Sequence, residues 1–148
     1  MIDVVIYFGL LAIVMAIVFG VYIAKKSSGN AKMQEISDII HKGAMTFLKK
    51  QYQVIAIFGV LIALIMLALP QNGLSTAVSF LIGGFSSALA GNIGMRVSTK
   101  ANSRAAEACR TSIGSGMRVA FLSGAVMGLC VVGIGLIGVT VLYQVVGD

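Results

Sequence analysis

"VVIYFGLLAIVMAIVFGVYIA", residues 4–24, contains no charged side chain and no alternation of polar with apolar positions. At about 1.5 Å of rise per residue, a helix of this length crosses the ~30 Å hydrocarbon core of a bilayer. A strand of a membrane barrel would alternate faces over about ten residues, whereas this run is apolar on every side. It follows the acidic "MID" rather than a basic leader and has the length of a full span, so it reads as a retained helix and not as a cleaved signal.

Three more uncharged runs follow, at 51–69, 74–95 and 119–143. Composition agrees: 58% of residues are hydrophobic and 11% charged, with a mean hydropathy of +0.99, outside the range of water-soluble domains. The expected fold is all-α: one polytopic transmembrane region over 1–148, with four spans forming part of a larger helical bundle.

Charge placement supplies an orientation. All eleven Lys and Arg residues fall in two windows, 25–50 and 96–118. The positive-inside rule makes both windows cytoplasmic, and places both termini and the short "PQNGLS" turn, 70–75, outside. The formal net charge of +6 follows from this topology, with attraction to anionic lipid of the bilayer as a secondary role. A nucleic-acid partner, which needs a basic face on a soluble domain, is not expected.

Within 25–50, the residues Ser27 to Asn30 read as a turn and helix start. Met33, Ile36, Ile40, Ala44 and Phe47 then recur at helical spacing. This predicts an amphipathic helix, on the membrane surface or against a partner helix, that runs into the second span. His41, beside Lys42 and without a second His or a nearby Cys, reads as a solvated side chain. Cys109 and Cys130 form neither a zinc pattern nor a CxxC motif and are expected as free thiols.

The later spans are rich in small residues. Gly83, Ser87 and Gly91 repeat every fourth position, as do Gly84 and Ala88, and Gly124 and Gly128 frame a GxxxG. Such spacing lets helix backbones approach closely in lipid. Packing of the four spans on one another explains much of it; a larger bundle or a dimer explains it equally well.

Chemistry-bearing residues are sparse. The spans hold no ionisable group of the kind that marks an ion path, only mild polar residues such as Ser79, Ser86, Ser87, Asn92, Ser123 and Thr140. Of the acids, Glu35, Asp38 and Glu107 fall in the basic windows, too scattered to hold Mg²⁺. "GSGMR", residues 114–118, is not a phosphate loop, and its expected role is to end one helix and begin the next. No catalytic, substrate-binding or metal-binding residue is assigned.

Three stretches carry a resemblance. "GNIGMRVSTKANSRAAEACR" (91–110) with "GMRVAFLSGAVMGL" (116–129), and upstream "MQEISDIIHKGAMTFLKKQY" (33–52), are similar to the N-terminal part of the membrane-bound, ion-pumping inorganic pyrophosphatases. That family carries Gly-x-x-Gly-Met, Ala-Asn-x-Arg and Gly-Ser/Ala-Val-Met-Gly-Leu in this order. Lys42 stands where an acid is common in the family, and "LKKQY" replaces a more usual Arg-Glu pair.

The resemblance implies a larger, homodimeric, many-helix protein, embedded in the lipid bilayer (the cell membrane in a prokaryote), that hydrolyses pyrophosphate with Mg²⁺ and moves H⁺ or Na⁺. Its substrate and metal ligands would sit on an inner ring of helices beyond this chain, leaving these four as supporting helices, inactive alone and completed by the remaining helices of the pump. The basic stripe Arg96, Lys100 and Arg104 would extend the third span and pack toward the catalytic helices, with Glu107 free to pair with Arg104 or Arg110. The alternative is a self-contained four-helix scaffold or accessory subunit without catalysis.

Overall fold

Each apolar run is helical over all or nearly all of its length, as part of a longer helix. In the computed structural model, which describes residues 2–69 and 73–146, α1 is Ile2–Ala24, α2 Ala31–Leu67, α3 Gly73–Thr111 and α4 Ile113–Val146. All four are long and apolar enough to cross a membrane. At 1.5 Å per residue, α2 and α3 reach about 55–60 Å, roughly twice the hydrocarbon thickness. Both therefore continue past the bilayer core as polar extensions, at the end that carries the Lys and Arg residues.

Local chemistry sets the helix ends. Gly29 adopts φ +81°, a conformation in which a Cβ is strained, and its N–H donates to Ser27 Oγ at 3.2 Å. Asn30 then caps α2: its Oδ1 accepts from the Met33 N–H at 2.9 Å, while Gln34 Nε2 donates to the Gly29 carbonyl at 2.8 Å. At the far end Ala68 is the cap, so the second span stops just short of the expected position 69. Of the expected turn 70–75, residues 70–72 lie outside the described residues; Gly73, Leu74 and Ser75 already belong to α3.

The break between α3 and α4 falls at Ser112, ahead of the expected "GSGMR". Ser112 Oγ accepts from the Ser115 N–H at 3.1 Å, so it caps α4 and leaves the glycines inside the first turns. Gly116 is needed there for a different reason. A Cβ at this position would collide with Cys109 Sγ and lie 3.0 Å from the Ala105 carbonyl oxygen, where α4 folds back over α3.

The helices form an open row and not a closed bundle. α4 packs on α1 along one flank and on α3 along the other; α2 packs on α3 alone, and α1 touches α3 only marginally. The buried positions of α4 are Gly116, Val119, Ser123, Val126, Cys130, Gly133 and Thr140, an alternation of three and four residues. That period keeps one stripe facing its neighbours, as in left-handed helix packing. Gly9, Ala12, Ala16 and Ile23 repeat the pattern on α1. The core is centred on Ala16, Ile23, Ala101, Val119, Val126 and Cys130.

Two polar side chains on the seam of α4 bond to their own helix. Ser123 Oγ donates to the Ala120 carbonyl at 2.8 Å and Thr140 Oγ1 to Leu136 at 2.7 Å, so neither hydroxyl is left unsatisfied in an apolar setting.

Candidate functional site

The polar end of the row is built on α2 and α3. Ser37 and His41, one turn apart on α2, both reach Thr99 on α3. Ser37 Oγ donates to the Thr99 carbonyl at 3.3 Å, and His41 Nδ1 lies 2.7 Å from Thr99 Oγ1. Thr99 Oγ1 itself donates to the Met95 carbonyl at 2.8 Å, which makes His41 Nδ1–H the donor to the hydroxyl.

One expectation is corrected here. His41 is a half-buried interhelical partner rather than a solvated side chain. The face of α2 that meets α3 is centred on Ser37 and Leu48, while Ile36, Ile40 and Phe47 of the expected apolar face remain exposed. Hydrogen bonds to Thr99 let two polar residues occupy the seam, and the apolar stripe stays free to face the membrane or a further helix.

The basic stripe does extend α3, in register. Arg96 Nε donates to Asn92 Oδ1 at 2.7 Å, one turn back, and Arg104 Nη1 donates to the Lys100 carbonyl at 2.7 Å. Of the two partners open to it, Glu107 takes Arg110, at 3.3 Å. Arg104 Nε is shut off from solvent and without a hydrogen-bond acceptor among the described residues. At the end of α1, the Lys26 ammonium stands 4.7 Å above the centre of the Tyr22 ring, a cation–π contact at the level where aromatic and basic residues anchor a helix.

Glu35 pairs with Lys32 at 3.0 Å, Glu107 with Arg110, and no three His, Cys, Asp or Glu side chains converge among the described residues. Among the described residues, no carboxylate set of the kind that Mg²⁺ requires is brought together.

What the chain offers instead is unpartnered surface. Tyr52 Oη donates to the Ala88 carbonyl at 2.8 Å and lies near Gly91, joining α2 to α3. Gly83, Gly84, Gly124 and Gly128, by contrast, face open space. The four-residue spacing that marked them for packing within this chain does so only in part. The α4 seam runs through Gly116, Val119, Val126 and Gly133, which leaves the GxxxG pair on another face. On α2 only 6% of the most apolar window is buried.

The family profile for Inorganic H+ pyrophosphatase matches residues 10–148. The chain is 42% identical over 140 residues to the K(+)-insensitive pyrophosphate-energized proton pump of Methanosarcina mazei, covering 95% of this chain and 21% of that protein. A proton pump of the same description from Moorella thermoacetica is 42% identical, over 94% of this chain and 20% of its own length. The K(+)-stimulated pyrophosphate-energized sodium pump of Thermotoga maritima is 41% identical, over 84% and 17%. The chain thus spans about one fifth of the curated relatives it matches.

Proposed function

Because this chain belongs to the inorganic H+ pyrophosphatase family, we propose that its four helices are the N-terminal supporting part of a pyrophosphate-energised ion pump. The observation that carries the reading is the pairing of a match over 95% of the chain with coverage of only 21% of the relative. Faces left open at Gly83, Gly84, Gly124 and Gly128 have the character of surfaces that further helices of the same protein cover.

In this reading the chain's residues scaffold rather than react. Mg²⁺ and pyrophosphate are held by helices beyond these four, and the pump assembles as a homodimer. The near-equal identity to proton and sodium pumps supports placing the choice of ion outside this fifth as well. The basic ends of α2 and α3 face the cytoplasm by the positive-inside rule, which puts the N-terminus of α1 on the opposite side.

The test compares two proteins reconstituted in liposomes with Mg²⁺ and pyrophosphate. The native polypeptide that carries this sequence is expected to hydrolyse pyrophosphate, and the isolated 148-residue chain to release no phosphate above the lipid blank. Turnover by the isolated chain would overturn the scaffold reading. A native polypeptide of this length that lacks activity would leave the accessory-subunit reading in its place.

A further inference from the structure

Between α1 and α3, with Val126, Cys130 and Ile134 of α4 along its floor, lies an apolar cleft of about 510 Å³ lined by residues that include Ile13, Ile17 and Ile93. At Gly20, Ala24 and Val97 it opens into a second cavity of about 210 Å³ whose wall is formed by Arg96, Lys100 and Arg104. The two cavities share those residues, so they form one continuous feature: an apolar trough closed at one end by three cations.

We infer that this cleft binds an anionic phospholipid, with the phosphate held at Arg96, Lys100 and Arg104 and an acyl chain lying along Ile13, Ile17 and Ile93. Dimensions fit. From Ile13 to Ala24 the trough runs about 16 Å along α1, close to half of the ~30 Å hydrocarbon thickness, the depth of a single leaflet. The cation cap sits directly after the uncharged run 74–95, where lipid phosphates lie.

Charge points the same way. No acidic residue lines either cavity, and the nearest acid on α3, Glu107, is engaged by Arg110. Among the described residues, Arg96 is bonded through Nε to Asn92 and Arg104 through Nη1 to Lys100, so both guanidinium groups keep donors for an anion. The buried, acceptor-less Arg104 Nε is the kind of group that an incoming phosphate oxygen satisfies after a small side-chain shift. A free phosphate matches the cap but leaves the apolar trough empty, and an apolar helix fills the trough but leaves three cations without a counter-charge. A phospholipid supplies both.

The experiment is native mass spectrometry of the polypeptide as extracted from its membrane, after exchange into mixed phosphatidylglycerol and phosphatidylcholine. Retained phosphatidylglycerol is expected to exceed phosphatidylcholine at least about tenfold, from the attraction of clustered Lys and Arg to anionic headgroups. The double variant Arg96→Gln/Lys100→Gln is expected to lose that preference, and the charge-preserving Arg96→Lys/Lys100→Arg to keep it. Gly20→Phe, at a position where a side chain meets nothing within 4 Å, fills the trough and is expected to abolish retention.

Three results overturn the inference: no lipid retained by the wild type, which indicates a helix in the cleft; unchanged preference in the Gln variant; or displacement of phosphatidylglycerol by millimolar inorganic phosphate, which indicates a free-anion site.

Discussion

Gly9 of α1 and Gly133 of α4 face each other backbone to backbone. A Cβ on Gly9 would stand 3.2 Å from the Gly133 carbonyl oxygen, and a Cβ on Gly133 would stand 2.9 Å from that of Gly9. This is the closest kind of approach two helices make in lipid, where packing contacts replace the hydrophobic drive.

Replacing Gly133 by Leu therefore forces α1 and α4 apart, with a loss of about 2–3 kcal/mol in folding stability as an overpacked seam. Gly135→Leu, two residues on and facing open space, is expected to change stability little. Steric-trapping or thermal unfolding in detergent, run on both variants, distinguishes them; equal effects would show that the seam is not where α4 meets α1.

The link between α2 and α3 at Thr99 has a separable energy. Thr99→Val removes the hydroxyl that His41 meets and is expected to cost about 1 kcal/mol. His41→Leu on the Thr99→Val background is expected to add less than it does alone, since the pair shares one contact. A double-mutant cycle read by chemical unfolding gives the coupling, and strict additivity would count against the bond.

Asn30→Ala deletes the side-chain acceptor at the start of α2, with an expected cost of about 1 kcal/mol confined to the first turns. Amide hydrogen exchange is the suitable readout. Faster exchange at residues 32–34 with unchanged rates at 54–66 is the expected pattern.

The two thiols are expected to differ in access. Cys109 is exposed at the polar end of α3, whereas Cys130 is buried on the seam of α4. A membrane-impermeant maleimide is expected to label Cys109 and to spare Cys130 in intact folded protein. Applied from each side of sealed vesicles, the same reagent reads the orientation, with labelling of Cys109 expected from the cytoplasmic face alone.

Spans were legible because a bilayer demands uncharged runs of a minimum length, and residues 4–24 meet that demand without reference to any neighbour. The continuous extensions of α2 and α3 were also legible, from the cap at Asn30 and from the helical spacing of Arg96, Lys100 and Arg104. The interior of the row was harder. Gly124 and Gly128 match a known pairing motif, yet the seam runs through Val126 and Gly133; which stripe of a uniformly apolar helix is buried depends on partners that periodicity does not name. His41 misled for a related reason: its partner, Thr99, is 58 positions away along the chain. Residues with no role assigned from motifs, Ile13, Ile17 and Gly20, come to line a cleft only because α1 and α3 flank α4.

The order of the row also constrains how the protein is made. Of these four helices α1 is synthesised ahead of the others, and its principal partner among them, α4, comes only after α2 and α3 have had the opportunity to pair. For that interval, several seconds at ~5–20 residues per second, α1 resides in lipid without α4. It is also the helix best suited to wait, since it is the most apolar of the four, whereas α3, the least apolar, emerges with α2 beside it. Insertion and assembly are thus divided between helices, the first able to stay on its own and the third retained by company.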